Sequence, residues 1–173
     1  ASWKDTAGLA ALRALVAAQG TAPDRILQAV AALVAAGDVE LLTPVAQLLD
    51  KRGQYPVELR GKVLASLGKL DSDRVAGVVL AAYAGSEPEL RPQMVELLTS
   101  RAGWSKLLLK AIAEKKVEAN ALNENQVRKM LAAKDDDLRK LVIAQWGSVR
   151  EERNPAREQV IAAMRVHLRK TPG

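Results

Sequence analysis

Two ladders run through the first half of the chain at the same step. Asp5, Asp38 and Asp71 stand 33 residues apart, and Pro23, Pro56 and Pro88 stand 33 and then 32 apart, each ahead of an apolar-periodic stretch. Self-similarity at this period signals stacked repeats, and two interleaved ladders imply two helices per repeat. Both residue types suit a helix start. Asp accepts hydrogen bonds from the first-turn N–H groups, and Pro loses nothing where its missing N–H would have had no partner.

The intervening stretches have helical period. Leu9, Leu12, Leu15 and Val16 share a face, as do Leu27, Val30 and Val34, then Leu42, Val45 and Leu49, then Leu59, Val63, Leu67 and Leu70. Gly20, Gly37, Gly53, Gly85, Gly103 and Gly147 fall near the ends of such stretches, where a C-terminal cap favours glycine. Beyond residue 100 the beat is less clean, with starts near Gly103-Trp104, Asn123, Asp135 and Asn154-Pro155, for about ten helices in all. Asn123 and Gln126 read as a capping box opening a short helix, Val127 to Ala133, after a weakly patterned linker at 116–121. Pro44 lies six residues past Asp38 and Pro92 four past Pro88, which predicts a late start capped by Thr43 at the first and a bent helix at the second.

Short helices with one apolar face bury it by stacking in antiparallel pairs. The reading is an all-α chain, a right-handed α-solenoid of about five helical pairs over a single domain, 1–173, with an irregular repeat at 101–134. A compact helical bundle is the rival. The 30 Ala and 25 Leu supply close approach and filling, so the core does without Phe, of which there is none. With no Cys, disulfides, thiolate metal sites and a cysteine nucleophile are excluded. No apolar run approaches a membrane span, and Ala1-Ser2-Trp3-Lys4-Asp5 does not resemble a secretory signal.

The net charge of +6 is uneven: residues 1–86 carry nine Lys/Arg against eight Asp/Glu, and 87–173 carry seventeen against twelve. A second signal is an acidic residue followed by Leu-Arg, at Glu58-Leu59-Arg60, Glu89-Leu90-Arg91 and Asp137-Leu138-Arg139, with steps of 31 and then 48. Arginine near a helix N-terminus faces the positive end of the dipole, so a carboxylate on the adjacent repeat is expected to compensate Arg60, Arg91 and Arg139. The jump of 48, about one and a half repeats, suggests a change of pairing register near 123–133.

The segment Pro56 to Gly68, with Glu58-Leu59-Arg60 near its start and Leu67-Gly68 at its end, resembles a bacterial HEAT-like repeat helix. Residues 87–173 are similar to the helical-repeat region of planctomycete-type membrane-bound dehydrogenase or haem-binding proteins. The resemblance lies in Glu89-Leu90-Arg91-Pro92, Leu97-Leu98, Arg101, Trp104, Leu107-Leu108, Ala111-Ile112, Lys116-Val117, Gln126 and Asp135 to Arg139. It implies a segment between a β-propeller and a cytochrome c domain, exported or periplasmic in its parent, excised from a larger redox-associated chain. The family's Cys-x-x-Cys-His haem motif is absent, so no catalytic residue and no cofactor carry across.

The chemically tempting residues have plainer readings. His167, the one histidine, lacks partner ligands and lies near Arg165 and Arg169. Asp135-Asp136-Asp137 reads as a helix cap rather than a calcium loop, and no metal site is expected. Trp104 and Trp146 read as joint-sealing rings. The cations Arg128, Lys129, Lys140, Arg150, Arg153, Arg157, Arg165, Arg169 and Lys170 are interrupted by Glu151, Glu152 and Glu158 and lack interleaved aromatics, which suits a solvated face. Of these, Arg128, Lys129, Arg157, Arg165 and Arg169 are the interaction candidates.

Three functions follow from this reading. The first is a non-catalytic scaffold or inter-domain spacer whose partner is a protein or the flanking domains of the parent chain. The alternative is phosphate-backbone binding to nucleic acid by the basic second half. The third, a base-excision-type enzyme, needs a carboxylate and aromatics converging on a basic groove.

Overall fold

A computed structural model describes residues 6–50 and 54–153, with side chains as far as Gln145. The described residues are all-helical, with α1 Thr6–Ala17, α2 Pro23–Ala35, α3 Leu42–Asp50, α4 Val57–Leu67, α5 Arg74–Tyr83, α6 Arg91–Leu98, α7 Ala102–Ala113, α8 Glu124–Ala132 and α9 Asp136–Arg153. Short 3-10 turns at Val39–Leu41 and Ala119–Ala121 precede α3 and α8.

The helices sort into two rows. The odd-numbered helices pack in sequence, α1 on α3, α3 on α5, α5 on α7 and α7 on α9, while α2 packs on α4 and α4 on α6. Successive helices such as α1 and α2 or α5 and α6 cross between the rows. The core lies where the rows meet. Ile26, Leu33, Leu48, Leu64, Val79 and Leu108 are fully enclosed there, and one continuous apolar cluster runs from Val16 to Val142. Removing this apolar surface from water is what holds such short helices in place, since helices of this length are marginal alone.

Local chemistry sets the helix ends. Pro23 opens α2, and Pro56 stands immediately before α4. Asp38 Oδ1 accepts the Glu40 amide at 3.2 Å, capping the 3-10 turn rather than α3. That turn delays α3 to Leu42, one residue before Thr43, so Pro44 falls in the first helical turn, where no hydrogen bond is lost. Pro92 behaves likewise. Residues 88–90 form a turn and α6 begins at Arg91, so proline produces a late start rather than a bend. At the third ladder position Asp71 lies ahead of the helix, which starts only at Arg74. Asn123 and Gln126 form the capping box of α8 through hydrogen bonds of 2.9 and 3.0 Å. The last described helix, α9, continues through Gly147 to Arg153 instead of ending beside Trp146.

Two helix ends share one geometry with different residues. After α2 the Asp38 amide reaches back to the Leu33 carbonyl and Gly37 has φ +65°. After α7 the Lys116 amide reaches the Ala111 carbonyl, and Lys115 takes φ +58°. This is the Schellman pattern, whose left-handed position favours glycine. Lys115 occupies it with a Cβ, the one such non-glycine residue among those described.

Candidate functional site

Among the described residues, the ion pairs between residues distant in sequence run as rungs between neighbouring elements. Arg60, in the first turn of α4, is fully buried and donates from Nη2 to Glu87 Oε1 at 2.5 Å. Arg91, at the start of α6, donates from Nη1 to Glu118 Oε1 at 2.8 Å. Each arginine pairs with a glutamate 27 residues further on, in the loop before the next element of the even row. The donors are 31 residues apart and so are the acceptors.

The two rungs differ in environment. Arg60 Nε and Nη1 have no hydrogen-bond partner among the described residues, so a buried guanidinium leans on one glutamate. Beside it the even row is tight, and a Cβ added at Gly61 would land on the Gln93 amide of α6. The second rung is more open and more elaborate. The Tyr83 hydroxyl donates to Glu118 Oε2 at 2.9 Å, and the Arg91 guanidinium stacks over the Tyr83 ring at 5.3 Å. Burial, followed by hydrogen bonding to Glu118 and the nearby negative charge, pushes the Tyr83 phenol up to about 12. Glu118 is held below the ordinary carboxylate value by a backbone hydrogen bond and by Tyr83 and Arg91, against the opposing effect of burial.

Further rungs cross the other joints. Arg101 donates to Asp71 at 2.6 Å and to the Gly68 carbonyl at 3.2 Å, with its guanidinium 4.8 Å over the Trp104 ring. Trp104 itself is buried. Arg74 pairs with Glu40 at 2.8 Å, and Arg13 with Asp38 at 3.5 Å. Asp135 caps α9 by accepting the Leu138 amide and pairs with Lys106 of α7 at 2.9 Å. The Lys106 hydrogen bond and the backbone amides together lower the Asp135 carboxyl.

The candidate residues separate accordingly. Arg60 and Arg91 lie on α4 and α6 of the even row, whereas Arg139 lies on α9 in the odd row, exposed and without an ion pair to a described residue. The step of 48 carries the motif from one row to the other. Near 123–133 the packing partner also changes, because α8 packs on α9, which follows it, whereas α2 packs on α1 and α6 on α5, which precede them. Arg128 approaches Glu124 at 3.8 Å within α8, and Lys129 reaches Glu96 of α6 at 3.5 Å. Arg157, Arg165, Arg169 and His167 lie outside the described residues, as does the side chain of Trp146. The acceptors Glu87 and Glu118 are the functional members that the Leu-Arg motif did not name. Their own 31-residue step was the signal available.

The residues described carry nineteen Lys/Arg against eighteen Asp/Glu, so most of the net +6 comes from Lys51, Arg52 and the residues after 153. Among the described residues no cluster of His, Asp or Glu is placed to hold a metal ion, and no helix is long and apolar enough to cross a membrane. Two shallow furrows mark the odd row. One lies between α1 and α3 around Ala14, Ala17 and Thr43, the other between α3 and α5 around Ala46, Gly77 and Ala81, with Gln47 shared. Small side chains predominate in them, with Arg13, Glu40 and Thr43 at the edge of the first and Asp50 at the edge of the second. No family model, curated protein or solved structure matches the chain.

Proposed function

We propose that this chain is a non-catalytic helical-repeat scaffold, a right-handed HEAT-like α-solenoid of about five helical pairs that spaces or docks protein domains within a larger redox-associated protein. The observation that supports it is the packing of neighbour on neighbour, from α1 to α9 in the odd row and from α2 to α6 in the even row, with rungs such as Arg60–Glu87 and Arg91–Glu118 across the joints. An architecture of this kind grows by addition and presents long helix faces, and several of its charged groups are engaged in holding the joints. The mechanism is then geometrical: flanking domains are kept at a fixed separation, and the odd-row face with its furrows meets a partner.

The redox setting rests on the resemblance of residues 87–173 to the dehydrogenase and haem-binding repeat region. Purification of the natural full-length chain, with intact mass and an alkaline pyridine haemochrome spectrum, tests it. Covalently bound haem is the expected result. A natural chain without haem would remove the redox setting and leave the scaffold.

A second reading, binding to a nucleic-acid phosphate backbone by the basic second half, draws on its seventeen Lys/Arg against twelve Asp/Glu, with Arg128, Lys129, Arg157, Arg165 and Arg169 as the candidates. It predicts duplex affinity falling steeply between two salt concentrations. Absence of binding at low salt would dispose of it.

A further inference from the structure

The even row is interrupted at one place. Helices α2, α4 and α6 pack directly, but α8 rests on α9 and reaches α6 through polar side chains. Glu96 of α6 accepts from Gln126 Nε2 at 2.9 Å and from Lys129 Nζ at 3.5 Å. The stretch leading into α8 packs its 3-10 turn on α6 and α9, and Glu118 at its start accepts from Tyr83 and Arg91. The polar links to the rest of the even row are therefore charge-assisted contacts at partly exposed carboxylates.

The apolar anchoring of this segment is confined to a few side chains, with Ala119, Ala121, Leu131 and Ala133 only partly buried against the core. Val117, Leu122, Val127 and Met130 are its buried apolar residues, the 3-10 turn Ala119–Ala121 buries none, and the third fully buried residue of α8 is the polar Gln126. Each end has a backbone feature suited to a pivot. Lys115 stands in the left-handed region, and Ala133 ends α8 in an extended conformation with ψ of 140°. A left-handed lysine disfavours the closed geometry relative to glycine.

We infer that residues 116–133 form a flap that opens as a unit about Lys115 and Ala133, with the carboxylates of Glu118 and Glu96 as its two catches. The apolar residues lining the space beside Val127 and Met130 include Leu109 and Ile112 of α7 and Val142 of α9. Opening would expose these side chains, so the catches control access to an apolar face while the row α1–α3–α5–α7 stays intact. Sub-global opening of weakly anchored units is ordinary in folded proteins, and here the chain supplies the release points.

Hydrogen–deuterium exchange of the full chain, read by mass spectrometry, tests this. Amides of 117–132 are expected to be protected but to exchange together and faster than those of α2 and α4. The double variant Glu96→Ala, Glu118→Ala is expected to speed that segment about tenfold or more, leaving α2 and α4 unchanged. Lys115→Gly should act in the opposite direction, slowing the segment about fivefold. Exchange of 117–132 as slow as that of α4, or an equal effect of the variants on every helix, would overturn the flap. A segment already unprotected in the unaltered protein would overturn it too, because no catch would be holding it.

Discussion

Removing Glu87 separates burial from mere pairing, because the chain contains the same rung twice. In the first rung the Arg60 side chain is 1% exposed and its glutamate 24%. In the second Arg91 is 30% exposed and its glutamate 52%. Breaking a buried pair leaves an uncompensated charge and costs about 3 to 5 kcal/mol, whereas an exposed pair is worth about 0 to 1 kcal/mol. Glu87→Ala should therefore destabilise by roughly 3 kcal/mol, the low end because its carboxylate retains some contact with water. Arg91→Met should cost about 1 kcal/mol, including the lost stacking on Tyr83. The double variant Arg60→Met, Glu87→Leu should recover most of the loss, since replacing both members of a buried pair with apolar groups is often close to neutral. Urea titrations followed by circular dichroism give the midpoints, compared at constant slope. A Glu87→Ala cost below about 1 kcal/mol, or a double variant no more stable than the single one, would refute the view that burial makes this rung matter.

Other perturbations follow from the same geometry. Lys115→Gly should stabilise by about 1 kcal/mol and Gly37→Ala destabilise by a similar amount, measured by the same titrations, because the two residues occupy equivalent left-handed caps. Tyr83 should ionise near pH 12, visible as an absorbance step at alkaline pH that Tyr83→Phe abolishes. Its folded value lies above the ordinary value of 10.0, so the stability it contributes is fully present below pH 10 and is lost as pH rises through 12. Asp135→Ala should remove both the α9 cap and the Lys106 pair at a cost of about 1 kcal/mol, with Asp135→Asn retaining most of the cap.

Helix identity was legible wherever a residue has one physical reason to occupy its place. Pro23 and Pro56 start helices because the missing N–H is harmless there, and Asn123 with Gln126 satisfies two amides reciprocally. Pro92 was ambiguous for the same reason: its ring is compatible with a late start or with a bend, and only the turn at 88–90 decides. Gly147 sits inside α9 because a single glycine lowers helix stability by about 1 kcal/mol without compelling an end. The rungs were half legible. Arg60 and Arg91 stood out by motif, but Glu87 and Glu118 lie in loops, where local periodicity carries no information about partners 27 residues away. Arg139 shows the limit of the motif, since the same three residue types on an odd-row helix meet a different neighbour.

The central claim, a stack held by neighbour contacts, is tested most directly by shortening it. A chain of residues 1–114 keeps α1 to α7 and removes everything that packs after them. If the rows are a solenoid, this fragment retains helicity per residue close to that of the whole chain and unfolds cooperatively in urea, with a slope reduced roughly in proportion to its length. A fragment that loses its cooperative transition would show one indivisible core and contradict the account.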